Sequence, residues 1–193
     1  MAYLTIYRDG DEPSLTLATD DEAEIREALA AKGVEYARWP VVEGLADDAS
    51  SDDVLAAYAE PIAQLSEEQG YVLVDVAGLH PSDDPGWAAT AAGARQKFLT
   101  EHTHADDEVR FFAAGSGIFY LHLDDDVYAV LGEQGDLLSV PKGTTHWFDM
   151  GTQPNFTAVR FFRDENGWVG DFTGNPIAER IPDFDTIVAG RGA

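Results

Sequence analysis

The chain has 193 residues, enough for one domain with a sizeable core, and its 36 acidic against 12 basic residues give a formal net charge of -24. A 45% hydrophobic and 11% aromatic content excludes a disordered chain, and the lack of cysteine excludes disulfides, thiolate metal sites and cysteine nucleophiles. So acidic a surface repels polyanions, which argues against nucleic acid. No apolar run approaches a membrane span and the start lacks a secretory signal, so a cytoplasmic protein with no membrane partner is expected. The acids are spread, twenty before Glu101 and sixteen from it onward, as a solvated surface would be.

In chain order, Tyr3 to Tyr7 and Leu15 to Leu17 alternate like short strands around Gly10 and Pro13. Asp20 or Asp21 caps a predicted helix with Ile25, Ala28 and Leu29 on one face, closed by Gly33. Val34 to Trp39 reads as extended. A second helical stretch starts at Ser51, with Val54, Leu55, Tyr58, Ile62 and Leu65 at helical spacing and Pro61 as a kink or break. Tyr71 to Val76 is a candidate buried strand, and 86–98 a candidate Ala-rich helix. From Phe98 the texture changes to short alternating strands separated by Gly115-Ser116-Gly117, Asp124 to Asp126, Gly132 to Gly135, Lys142-Gly143 and Gly151 to Pro154. That pattern predicts an antiparallel barrel or sandwich, and the reading adopted is a small β-barrel. The expected organisation is one domain over 1–193: a mixed α/β flank over 1–97, a barrel core over 98–163 and a C-terminal extension over 164–193.

Three histidines and one glutamate stand out. His102 and His104 leave one face of a strand, Glu108 follows in phase, and His146 comes from another strand. Three imidazoles and a carboxylate suit a divalent first-row metal, and without thiolates the site leans away from structural zinc. Glu108, Arg110 and Phe112 share one parity, as do His146 and Phe148, and Arg160 and Phe162. Arg110, Lys142 and Arg160 are the only basic residues between Phe98 and Phe162. Two arginines in phase with metal ligands suggest cations that hold an anionic substrate, the alternative for Arg160, and less so for Arg110, being an ion pair with a neighbouring Asp or Glu. Of the other histidines, His80 is expected to face solvent. His122 shares the parity of Tyr120 and could point into the barrel, but neither is expected to be a ligand. Phe112, Phe148 and Phe162 are core aromatics by pattern.

The order His102-x-His104-x-x-x-Glu108 with Gly115, then Gly135-x5-Pro141-x-Gly143-x-x-His146, resembles the paired motifs of the cupin superfamily, small β-barrels of the jelly-roll type with an internal metal. Gln96 and Met150 depart from those motifs at positions outside the ligands. Glu101 to His104, Asp107 to Phe112, Gly115 to Phe119, Gly135 to Pro141, His146 to Phe148 and Asn155 to Phe162 resemble the acireductone dioxygenase family, over roughly residues 96–174.

The resemblance implies one Fe2+ or Ni2+ per chain on His102, His104, Glu108 and His146. It also implies a small-molecule acireductone and O2 as reactants. Arg110 would help form the substrate dianion, with Arg160 beside it. Glu101 and Asp107 would be accessory residues, and Phe112, Phe148 and Phe162 would lie along the substrate pocket. The implied reaction belongs to methionine salvage. The iron form would split 1,2-dihydroxy-3-keto-5-methylthiopentene to formate and 4-methylthio-2-oxobutanoate, and the nickel form would give 3-methylthiopropanoate, formate and carbon monoxide. Another cupin dioxygenase or isomerase would share the metal site without the Arg110 and Arg160 pair, and a non-catalytic binding cupin would usually lack a ligand. No apolar stripe demands a partner, so a monomer is expected.

Overall fold

The structure is a computed structural model that describes residues 1–164 and 170–191. Strands β1 (Tyr3–Arg8) and β2 (Ser14–Thr19) precede helix α1 (Glu22–Ala30), strand β3 (Glu35–Arg38), helices α2 (Ser51–Ala57) and α3 (Ala59–Gln69), strand β4 (Leu73–Leu79) and helix α4 (Trp87–Phe98). Then come β5 (His102–Thr103), β6 (Glu108–Leu123), β7 (Asp126–Glu133), β8 (Asp136–Val140), β9 (Thr145–Asp149) and β10 (Phe156–Phe162). Short β11 (Asp171–Phe172), a 3-10 turn at Pro176–Glu179 and α5 (Phe184–Gly190) complete the described chain.

Local chemistry sets the helix ends. The Asp21 carboxylate accepts from the Ala23 and Glu24 amides and starts α1, whose Ile25 and Leu29 are buried. The predicted second helix is interrupted at Tyr58 rather than at Pro61 itself. A proline ring clashes with the carbonyl four residues earlier, here Ala57, so the break falls one turn upstream.

Two antiparallel walls share β6. One runs β11-β5-β9-β6-β7-β1-β2; in the other β6 pairs with β8 and β10, with β3 and β4 at the edges. The predicted flank is therefore woven into the barrel walls as well as packed on them. The Gly115-Ser116-Gly117 separator is corrected: it is a corner inside the single 16-residue strand β6. Gly115 has φ +63, and a Cβ there would lie 1.9 Å from the Asn155 carbonyl oxygen, so only glycine turns this corner.

Three apolar clusters hold the walls. The interior gathers Leu4, Phe112, Phe119, Leu121, Val140 and Phe156. Outside one wall, Tyr120 and Trp147 lie under Ile177, Ile181 and Ile187 of the C-terminal segment. Outside the other, Val109, Phe111 and Phe161 lie under Val54 and Tyr58. The expected C-terminal extension includes residues 165–169 and 192–193, which lie outside the described residues. Among the described residues, no helix is long and apolar enough to cross a membrane.

Candidate metal centre

The register of the walls brings the predicted ligands together. His102 on β5 pairs directly with His146 on β9, and Glu108 opens β6. All four candidates are buried, from 2% exposed for His146 to 5% for His104. The donor atoms of His104, Glu108 and His146 lie within 4.8 Å of one another. The His102 ring stands alongside, its centroid 4.6 Å from that of His146 and 6.2 Å from that of His104.

The backbone fixes how these rings present themselves. Nδ1 of His102, His104 and His146 donates to the carbonyls of Thr100, Asp106 and Thr144 at 2.8, 2.6 and 2.8 Å. A carbonyl only accepts, so each Nδ1 carries a proton, which leaves Nε2 as the atom that can coordinate a metal. Metal-binding histidines are oriented by this kind of outer hydrogen bond. Nε2 of His104 then faces the Glu108 carboxylate at 3.1 Å. Two electron-rich atoms so placed are matched by a cation between them. A divalent ion bonded at about 2.1 Å needs its ligand atoms within about 4.2 Å, so the side chains would draw in by only about half an ångström. The donor set fits a metal.

Electrostatics agree. Burial depresses His146 to about 4, which keeps its ring neutral and able to coordinate. Burial works to raise Glu108, but Arg110 first, with His104 and His146, outweighs it and holds the carboxyl below its usual range. Arg110, 7% exposed, places Nη2 2.5 Å from Glu108 Oε1. Burial pulls Arg110 below its usual value against the pull of Glu108.

Beside this cluster is a cavity of about 190 Å³. Its polar end is Glu108, Arg110 and Arg160, and its apolar wall includes Phe98, Phe112, Phe148, Met150 and Phe156. Phe162 is not among the lining residues. Both guanidinium groups instead lie over its ring, at 5.7 Å for Arg110 and 5.4 Å for Arg160. Arg160 is also less available than its parity suggests, because its Nε and Nη2 are bound at 2.7 and 2.6 Å by both oxygens of Asp75.

Glu101 and Asp107 hold the ligand-bearing segment rather than the cavity. The buried Glu101 carboxylate receives Nδ1 of His122 at 2.7 Å and the Thr173 hydroxyl. Asp107 accepts the Lys142 amide at 3.0 Å and pairs with Arg163 at 3.0 Å. His122 does not point into the barrel. One extra residue in β6 at Ala113, opposite Thr157 and Ala158, reverses the parity, so Phe119 and Leu121 face inward instead. Nor is His80 solvent-facing: it is half-buried, with its ring nitrogens 2.9 Å from Asn155 Oδ1 and from Thr157 Oγ1. Asp75, His122, Arg163 and Thr173 are the supporting residues that pattern reading did not assign. Arg163 alone had a signal, as a basic residue one position past Phe162.

A two-walled β-barrel with an internal His-Glu cluster defines a metal-binding protein of the cupin type. A sequence model described as the ARD/ARD' family matches residues 48–170. The chain is 59% identical over 187 residues to the acireductone dioxygenase of Frankia alni, covering 97% of this chain and 91% of that one. It is 52% identical to that of Saccharopolyspora erythraea, covering 99% and 100%. A solved acireductone dioxygenase from Bacillus anthracis, with a cadmium ion in its active centre, superposes with a TM-score of 0.72 at 28% identity, over 88% of this chain and 99% of that one. The chain belongs to the ARD/ARD' family.

Proposed function

We propose that this chain is an acireductone dioxygenase of methionine salvage, with His102, His104, Glu108 and His146 holding one Fe2+ or Ni2+. The observation that carries the reading is the three carbonyl-oriented imidazoles and Glu108 converging at the charged end of an aromatic cavity. When bound, the ion would supply Lewis-acid chemistry that favours the ionised enediol.

The protein's own groups do the rest. Arg110 keeps Glu108 ionised and presents a permanent positive charge to the enediolate. Phe162 supports that guanidinium from one face. The carbonyls of Thr100, Asp106 and Thr144 keep the imidazoles from rotating out of the site. The aromatic wall excludes water from an electron-rich, O2-sensitive substrate and offers an apolar bed for its methylthio tail. Glu101 and Asp107 act as positioning residues for the ligand-bearing segment. We read the enzyme as monomeric and cytoplasmic, which light scattering and cell fractionation would check.

The test is anaerobic mixing of separately iron- and nickel-loaded protein with 1,2-dihydroxy-3-keto-5-methylthiopentene, followed by O2. Formate with 4-methylthio-2-oxobutanoate is expected from iron, and 3-methylthiopropanoate, formate and carbon monoxide from nickel. No O2 uptake with either ion would refute the activity. Identical products from both would refute selection of products by the metal. Full metal content in His104→Ala would refute the ligand set.

A further inference from the structure

Two glycines outside the metal cluster and the cavity lining sit one pair in from the Ser116–Glu133 end of the β6–β7 ladder. Gly117 of β6 and Gly132 of β7 are direct cross-strand partners. Each is two positions from an inward-facing residue, Phe119 and Val130, so a side chain at either would point into the barrel. Neither has a positive φ, so backbone conformation does not call for glycine here. Glycine weakens a strand interior, and its usual reason there is the close approach of another group. That group is visible. A Cβ on Gly132 would lie 2.3 Å from Phe112 Cε2, and one on Gly117 would lie 2.4 Å from Phe148 Cζ.

Both rings line the cavity, so each has bare backbone on one side and the cavity on the other. Sideways movement is blocked for Phe148, which touches Phe119, Phe98 and Phe156 at centroid distances of 4.7, 6.5 and 5.6 Å. Carbon atoms settle at about 3.5–4.0 Å, so a single added methyl would push a ring inward by more than about 1 Å. From this geometry we infer that Gly117 and Gly132 set the depth of the apolar pocket, and with it the length of substrate tail the enzyme accepts. The glycine pair lets the rings sink into the wall. The inference rests on the reading above in assigning that pocket to the tail of an acireductone.

Two measurements test it. In crystal structures of Gly132→Ala and Gly117→Ala, Phe112 and Phe148 respectively should stand further into a smaller cavity. A backbone that retreats and leaves the cavity as it was would overturn the inference whatever the ligand. Calorimetry of the metal-loaded proteins with straight-chain 2-oxo acids, from 2-oxobutanoate to 2-oxooctanoate, supplies the second. In both variants the longer acids should weaken by about tenfold or more per methylene that no longer fits, while the shortest bind as before. Adding Phe112→Leu to Gly132→Ala should restore the longer acids and relieve any folding defect.

Loss independent of chain length, or no rescue by the shorter side chain, would give the glycines a purely structural role. Acireductone turnover is scored separately. A native protein inert toward acireductones that still shows the glycine-dependent length limit would refute the assigned reaction and leave the pocket-depth inference standing.

Discussion

Arg110 is the residue whose removal separates chemistry from metal binding. Its guanidinium lies inside the barrel, 7% exposed, against Glu108 and over Phe162. A substrate oxyanion about 5 Å from this charge, at an effective dielectric of about 20, gains about 3 kcal/mol, or roughly a hundredfold in rate. Arg110→Ala should therefore lower kcat/KM by roughly 10²- to 10³-fold, the range seen when one oxyanion-stabilising donor is lost. Metal should be retained near neutral pH, because the imidazoles and Glu108 remain. Arg110→Lys should recover only part of the activity, since an ammonium cannot reproduce the planar contact with Phe162. The assay is steady-state O2 uptake with metal content measured on the same samples. Turnover within threefold of native, or metal loss in parallel with activity, would refute the assignment and make Arg110 a partner of Glu108 only.

Three further outcomes follow from other parts of the fold. Because His146 is depressed to about 4 in the folded protein from an ordinary 6.5, its contribution is complete above about pH 6.5 and is lost as pH falls towards 4. Urea melts of metal-free protein should show up to roughly 3 kcal/mol of such loss, and His146→Gln should flatten that part of the profile; an unchanged profile would contradict the burial argument. Asp149, 1% exposed, holds Arg95 at 2.6 and 2.7 Å and also accepts the Gly151 and Phe184 amides at 2.9 and 3.0 Å. Asp149→Ala should cost about 3 kcal/mol or more in a denaturant melt, and a loss under about 1 kcal/mol would show that the α4–α5 clamp is dispensable. At a net charge of -24, self-repulsion should be relieved by salt, so Tm should rise between low and moderate ionic strength; a flat or falling Tm would contradict this.

Much of the site was legible because it is written in short-range periodicity. His102, His104 and Glu108 lie within one turn of chain, and the parity of Glu108, Arg110 and Phe112 survives in the folded β6. The alternation of the barrel strands and the Asp21 cap are local signals of the same kind. What escaped was long-range or depended on one inserted residue. The Ala113 bulge has no composition of its own, and it alone turns His122 out of the barrel. The Asp75 partner of Arg160 is 85 residues away, and the Glu101–Thr173 contact spans 72. Phe162 had the right parity for the pocket. It lies instead beneath the two guanidinium groups, and only the three-dimensional packing of their cations could reveal that.

The Asp75–Arg160 pair changes how the charge of the cavity is counted. Two arginines lining one small cavity suggest a surplus of positive charge for an anionic substrate. With Asp75 bound to Arg160 and Glu108 to Arg110, these four ionised side chains among the described residues sum to zero, and imidazoles in the form that coordinates a metal add no charge. On the proposed reading, a dication in that site is balanced by a doubly ionised substrate and is left one charge short by a singly ionised one. In a cavity walled by phenylalanines, an unbalanced charge is expensive, so the balance itself favours the dianion. Arg110 then matters for where its charge sits rather than for adding to the total. Its guanidinium is held beside the cluster by Glu108 and Phe162, while the charge of Arg160 is drawn towards Asp75.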